Sequence, residues 1–304
     1  MSAKSATVGL VGVGAMGSRM ARRLRAAGYR LVLNDVKGPV PELLDGSSRF
    51  VGTVGGVVEA AEVVLLSLPT PDTVDEVVDQ IAEASRAGKA RAELCIDTST
   101  CGPRASERAS ATLKPVGVAF IDAPVSGGIT GAASGTLTFM LAGADADVAK
   151  AYALLENLGS RLIHVGSVPG MGQVAKVANN MLEAAHMVAT AEAMVVAEKA
   201  GINARKMLEI LNASSGRSSV TEEAFVSSVI TRKFDEGFAL SLCLKDVRLC
   251  NEVTRGFDIP AWVGASVENM LSLTAATVDE ENPDYTSVVR VYEQWADVSI
   301  GSAM

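Results

Sequence analysis

Three stretches of this 304-residue chain set reactive residue types at spacings that would aim them. In Gly170-Met171-Gly172-Gln173-Val174-Ala175-Lys176-Val177-Ala178-Asn179-Asn180, Lys176 and Asn180 stand at i and i+4, so a helix projects both from one face with Asn179 beside them. A lysine amine moves protons and an amide orients a hydroxyl, which together suit acid/base work on an alcohol or carbonyl. In Asp122-Ala123-Pro124-Val125-Ser126-Gly127-Gly128, consecutive small residues after a strand can turn successive N–H groups toward a carboxylate. The third stretch runs from Gly237-Phe238 to Leu244-Lys245-Asp246. Taken singly, Ser126-Gly127-Gly128 suits a surface turn better, and Lys176 fits a side chain snorkelling from a helix end about equally well.

The elements that would hold these residues fall into two kinds. From Thr7 to about Val168, short β-rich runs (Val8–Val11, Leu31–Leu33, Val63–Leu68, Leu94–Asp97 and Phe120–Asp122) alternate with helical stretches, predicting βαβ units around a parallel sheet. The runs are almost wholly apolar, as expected when helices cover both faces. After Pro169-Gly170-Met171-Gly172 the chain predicts one uninterrupted helix, Gln173 to Ala200, of roughly 40 Å with Gly201 as its C-cap. That helix is apolar on nearly every side, so it should be buried, while Lys176, Asn179, Asn180, Glu183, His186 and Glu192 exclude a membrane span. Helical periodicity continues through Ala204–Asn212, Leu240–Thr254 and Trp262–Ala276 with no strand after about residue 168. The expected fold class is α/β: a Rossmann-like doubly wound domain over 1–168, then an all-α domain over 169–304, joined by the long helix. So long a buried helix in so small a domain predicts a homodimer or homotetramer.

The first strand enters Gly12-Val13-Gly14-Ala15-Met16-Gly17, a glycine turn that opens a helix. Gly12 permits the tight turn, Gly14 lets backbone approach a pyrophosphate, and Gly17 allows close helix–strand packing. Asp35 ends the second strand 23 residues after Gly12, where a carboxylate hydrogen-bonds ribose hydroxyls and repels a 2′-phosphate. No arginine follows it, so NAD is expected over NADP, although Lys37 stands nearby.

Together these stretches resemble the 3-hydroxyacid dehydrogenase family, which includes 3-hydroxyisobutyrate dehydrogenases and tartronate semialdehyde reductases. The likeness runs in order through Gly9–Gly17, Leu68-Pro69, Asp97–Thr100, Asp122–Gly128, Gly131-Ala132, Gly135–Leu137, Lys176 with Asn180, and Lys245-Asp246, about four-fifths of the chain. The resemblance implies that Ser126, Gly127 and Gly128 hold a substrate carboxylate and that Asn179 lies beside it. It makes Lys176 the catalytic residue assisted by Asn180, with Leu68, Pro69 and Thr100 lining the cofactor. Lys245 would approach the nicotinamide end with Phe238 packed nearby. The reaction implied is NAD-dependent, reversible oxidation of a small 3-hydroxy acid. An ordinary lysine, with a pKa of about 10.4, is a poor base at neutral pH. Burial beside a cationic ring eases its proton loss, so oxidation should run best in alkali.

Leu211-Asn212-Ala213-Ser214-Ser215-Gly216-Arg217 resembles 3-hydroxyisobutyrate dehydrogenases more than tartronate semialdehyde reductases, favouring a short or branched aliphatic substrate. Arg217 is expected at a helix surface and His186, about 15 Å along the helix from Lys176, as a packed histidine. The alternatives are a tartronate- or succinic-type semialdehyde reductase, an imine reductase, whose relatives generally lack the lysine, and a cofactor-binding scaffold without turnover. Decarboxylating 6-phosphogluconate dehydrogenases carry a histidine where this chain has Asn179.

Composition supports that reading: 48% hydrophobic and 20% charged residues describe a globular chain with a substantial core. A net charge of −8 argues against a nucleic-acid partner, and Arg19, Arg22, Arg23 and Arg25 read as a solvated helix face. Cys95, Cys101, Cys243 and Cys250 form no C-x-x-C pair, which argues against zinc or disulfides. With no basic start and apolar core of a secretory signal, the expected location is a reducing cytoplasm, without membrane contact.

Overall fold

The computed structural model describes residues 6–301. They form two compact units that divide between Lys176 and Val177.

The first unit alternates strands and helices: β1 (Thr7–Val11), α1 (Ala15–Ala26), β2 (Arg30–Asn34), β3 (Ser48–Phe50), α2 (Val54–Ala60), β4 (Val63–Leu66), α3 (Pro71–Arg86), β5 (Leu94–Asp97) and α4 (Pro103–Leu113). It continues with β6 (Ala119–Asp122), β7 (Val125–Ser126), α5 (Gly128–Ser134), β8 (Leu137–Ala142), α6 (Asp145–Leu155), β9 (Gly159–Gly166) and the start of α7 (Met171–Lys199). The sheet order is β3-β2-β1-β4-β5-β6-β8-β7, with β9 on β8. From β3 to β6 every pairing is parallel.

Residue alternation divides this sheet between two cores. Leu10, Leu31, Leu33, Leu65 and Ile96 join the core under α1 and α6, whereas Val11, Val32, Val64, Leu66 and Cys95 join the one under α2 to α4. In β1, β2, β4, β5 and β6, where both faces are covered, polar residues are left only at strand ends, which is where Asn34, Asp97 and Asp122 stand.

The sheet departs from the sequence reading in two ways. It is not wholly parallel, because β8 returns antiparallel to β6 and β7, and β9 then pairs parallel with β8. The strand expected over Val63–Leu68 ends at Leu66, which leaves the Leu68 N–H to the Ser99 hydroxyl at 2.9 Å. The basic face of α1 is also less solvated than expected. Arg23 donates to the Asn157 carbonyl at 3.3 Å, and Arg25 lies 3.3 Å from Asp45.

Among the described residues the elements of the second unit are all helical: the rest of α7, α8 (Ala204–Asn212), a π-helical segment Val220–Val229, α9 (Leu240–Gly256), α10 (Trp262–Thr277), a 3-10 turn Tyr285–Ser287 and α11 (Val288–Ala296). They share one apolar core that includes Met187, Met194, Phe225, Val247, Leu271 and Tyr285. Gly201 ends α7 with φ +81°, and the Ile202 N–H reaches back to the Ala197 carbonyl at 2.9 Å, a Schellman closure. Full burial of α7 is not seen in the single chain: Leu182 is 52% exposed and Val196 65%.

Candidate active site

Backbone builds the cofactor end. After β1 the chain turns at Gly12, whose φ of +90° suits glycine and whose N–H donates to the Asn34 carbonyl at 2.9 Å. A Cβ on Gly12 would lie 2.2 Å from the Ser67 carbonyl oxygen, and one on Gly17 would lie 2.0 Å from the Gly12 carbonyl oxygen. Turn and helix therefore interlock. Gly14 differs, because a Cβ there meets nothing within 4 Å. The open space over Gly14 and the first N–H groups of α1, at Ala15 and Met16, could receive a phosphate group. Asp35 braces the turn: one carboxylate oxygen accepts from the Val13 N–H at 2.7 Å and the other from the Lys37 N–H at 2.8 Å.

Several other residues expected in this unit stand at or after the carboxyl ends of strands, where open α/β sheets bind ligands. Leu68 and Pro69 follow β4, and Thr100 follows β5. Ser126 closes β7, Gly127 caps α5 with φ +117°, and Gly128 opens it. Lys176 is only 8% exposed, on the second turn of α7. Asp122 ends β6 fully buried, and burial lifts its carboxyl to about 7, assisted by the like charge of Asp97 and opposed by N–H bonds from Gly170 and Gln173.

Side chains do the corresponding work in the helical unit. Asn180, 3% exposed, donates through Nδ2 to Asp246 Oδ2 at 2.7 Å and accepts from Asn179 at 3.2 Å. Lys245 Nζ lies 2.9 Å from Asp246 Oδ1, so one buried carboxylate gathers Asn180 and Lys245. Phe238 packs on Tyr285 with ring centroids 5.6 Å apart, and the Gly237 and Phe238 N–H groups both donate to Asp284. Arg217 is exposed, 3.8 Å from Glu222. Sequence reasoning missed Asp246 and Asp284 as organisers of this cluster. For Asp246 the signal was present, as a carboxylate directly following Lys245 on a predicted helix.

A doubly wound sheet with this glycine turn, followed by a helical unit presenting Asn180 and Lys245, defines an NAD-binding oxidoreductase. Residues 7–166 match the family described as the NAD binding domain of 6-phosphogluconate dehydrogenase. Residues 170–292 match that described as NAD-binding of NADP-dependent 3-hydroxyisobutyrate dehydrogenase. Mitochondrial 3-hydroxyisobutyrate dehydrogenase of Bos taurus is 34% identical over 94% of this chain and 86% of its own length. The 2-(hydroxymethyl)glutarate dehydrogenase of Eubacterium barkeri is 30% identical over 98% of each. The solved structure of Mycobacterium tuberculosis 3-hydroxyisobutyrate dehydrogenase with L-serine superposes with a TM-score of 0.84 at 30% identity, covering 94% of this chain and 99% of that one. Imine reductase from Streptomyces aurantiacus shares the fold alone, with a TM-score of 0.61 at 18% identity. The chain belongs to the 3-hydroxyacid dehydrogenase family, that of the 3-hydroxyisobutyrate dehydrogenases, and is an NAD-dependent oxidoreductase that oxidises a 3-hydroxy acid. No helix among the described residues is long and apolar enough to cross a membrane.

Proposed function

We propose that the substrate is 3-hydroxyisobutyrate or a close aliphatic analogue, that Lys176 is its acid/base residue, and that NAD is preferred over NADP. The observation that carries this reading is a lysine 8% exposed on α7, one helical turn before an asparagine whose amide is already oriented by Asp246. A buried amine is costly to hold, and a proton carrier gains from a dry environment.

Bound NAD supplies the hydride acceptor. In oxidation, Ser126 and the Gly127 and Gly128 N–H groups hold the substrate carboxylate, and Lys176 Nζ takes the hydroxyl proton while Asn180 directs that hydroxyl. In reduction, Lys176 returns the proton. Asn179 would serve the substrate end, Lys245 and Phe238 the nicotinamide end, and Leu68, Pro69 and Thr100 would line the cofactor. Asp35 favours NAD, because a 2′-phosphate beside its carboxylate would be repelled.

Leu182 and Val196, exposed on α7, support association into a homodimer or homotetramer, which light scattering on the purified protein would test. The four cysteines are buried thiols, which supports a reducing compartment such as the cytoplasm.

The deciding assay follows reduced-cofactor formation in alkaline buffer with NAD or NADP, across 3-hydroxyisobutyrate, L-serine and 2-(hydroxymethyl)glutarate. Lys176→Ala should lower kcat on the order of 10²- to 10⁴-fold. Full turnover in that variant removes the lysine assignment, and a preference for the dicarboxylic substrate removes the aliphatic one.

A further inference from the structure

Two carboxyl groups that no hydrophobic core needs stand side by side in the first unit. Asp97 and Asp122 end neighbouring parallel strands in register, and both are fully buried. Asp97 accepts from the Ser99 N–H at 2.9 Å and from the Cys101 thiol at 3.2 Å. Asp122 accepts from the Gly170 N–H at 2.7 Å and the Gln173 N–H at 3.0 Å, and thereby caps the first turn of α7 from outside the helix.

Gln173, also fully buried, completes the connection. Its Oε1 accepts from the Cys101 and Gly102 N–H groups at 3.0 and 3.1 Å, and its Nε2 donates to the Ser99 carbonyl at 2.9 Å. Ser99 in turn accepts from the Leu68 N–H through its hydroxyl. A single chain of bonds thus runs from Leu68, through the segment containing Thr100, to the first turn of α7. Sterics close the remaining freedom, since a Cβ on Gly172 would lie 2.3 Å from the Met140 carbonyl oxygen and 2.7 Å from Asp122 Oδ2. The start of α7 can neither rotate nor slide without breaking several buried hydrogen bonds.

Lys176 follows Gln173 by three residues, about one helical turn. We propose that Gln173 and Asp122 are positioning residues for the reaction: they fix the axial and rotational setting of α7, and so place the Lys176 amine against the cofactor-lining segments at Leu68 and Thr100. The inference rests on the reading of Lys176 as the acid/base residue. Its physical basis is steep, because a misplacement of about 1 Å in a reacting group can cost on the order of 10²-fold in rate. These bonds also satisfy buried backbone groups and cap a helix, so kinetics rather than stability separate the positioning role, although an uncharged residue at 122 would avoid burying one carboxyl beside another.

The test compares Gln173→Met, which keeps volume and removes the hydrogen bonds, with Asp122→Asn and Lys176→Ala in the full-length protein. Substrate is whichever of 3-hydroxyisobutyrate, L-serine or 2-(hydroxymethyl)glutarate the wild type turns over fastest. Expected for both positioning variants is a fall in kcat of at least about tenfold, with the KM for the hydroxy acid and the NAD dissociation constant within about threefold of wild type. The pH at which kcat for oxidation is half-maximal should also move in Gln173→Met, which a purely structural role would not cause. If kcat stays within about threefold of wild type, or falls only in step with NAD affinity and melting temperature, the proposal is overturned. Should Gln173→Met fail to fold, Asp122→Asn decides by the same criteria. Full turnover in Lys176→Ala removes the reading beneath the proposal. Loss in Lys176→Ala with unchanged Gln173→Met and Asp122→Asn removes the positioning role alone.

Discussion

The two units prepare for chemistry with different materials. The sheet unit relies on main chain: a turn at Gly12, the N–H groups opening α1 and α5, and strand ends whose carboxylates bind further N–H groups. The helical unit relies on side chains, with Asp246 holding Asn180 and Lys245, and Asp284 holding the segment at Phe238. The glycine turn, built of backbone, should fail when a Cβ is added, whereas the Asp246 cluster should fail when its side-chain chemistry is changed.

The largest effect should come from Gly17→Ala. The new methyl would lie 2.0 Å from the Gly12 carbonyl oxygen, a backbone atom that cannot swing aside. A cost of about 3 kcal/mol or more and loss of measurable NAD binding are expected. Gly14→Ala provides the contrast, because nothing lies within 4 Å of its Cβ. It should keep the wild-type melting temperature and lose affinity for NAD alone. If calorimetry shows both variants equally destabilised, the division of labour between the two glycines is wrong.

In the helical unit the corresponding break is Asp246→Ala, which strips a buried carboxylate from Asn180 and Lys245. Removing one partner of a buried pair costs about 3 kcal/mol, and the freed Asn180 amide should lower kcat with little change in NAD affinity. Denaturant unfolding and steady-state kinetics would check the two parts separately. Asp246→Asn, which retains one acceptor, should lose less on both measures.

The same difference explains what could be read before the fold was known. Gly12, Gly14 and Gly17 are legible because a backbone shape restricts residue type at fixed spacing, and the long helix is legible because no Gly or Pro interrupts Gln173 to Ala200. The antiparallel return through β8 is not legible. Leu137-Thr138-Phe139-Met140-Leu141-Ala142 is an almost continuous apolar run that suits a strand or a buried helix equally, and its partners are chosen by tertiary structure. Gln173 was hidden for a related reason, since all its side-chain partners are backbone groups more than 70 residues away. Any segment supplies backbone groups, so no residue type marks such a partner.

A smaller effect concerns Asp122 and pH. Its folded-state pKa is about 7, above the ordinary 3.8, so between roughly pH 4 and 7 the folded protein holds a proton that the unfolded chain has released. That contribution to stability is complete at the acid end of the window and is lost as pH rises through 7. The facing groups are the Asp97 carboxyl and the Gly170 and Gln173 N–H groups. Asp122→Asn cannot take up the proton. The stability of wild type relative to this variant should therefore fall by about 2 kcal/mol between pH 5.5 and pH 8. A difference independent of pH would show that the carboxyl titrates normally.

Asp35 gives the smallest and sharpest test, because it is the side chain on which the backbone-built end depends. Its two oxygens brace the turn through Val13 and Lys37, and each retains a lone pair that a ribose hydroxyl can use. Asp35→Asn keeps one acceptor and removes the charge. One of the two braces is lost to an NH2 group facing an N–H donor, so melting temperature should fall modestly, while repulsion of a 2′-phosphate disappears. The ratio of kcat/KM for NAD to that for NADP should fall about tenfold, equivalent to ~1.4 kcal/mol, mainly through improved use of NADP. Loss of both activities together would instead make Asp35 a brace for the turn first and a ribose ligand second, and cofactor choice would then lie with the backbone as well.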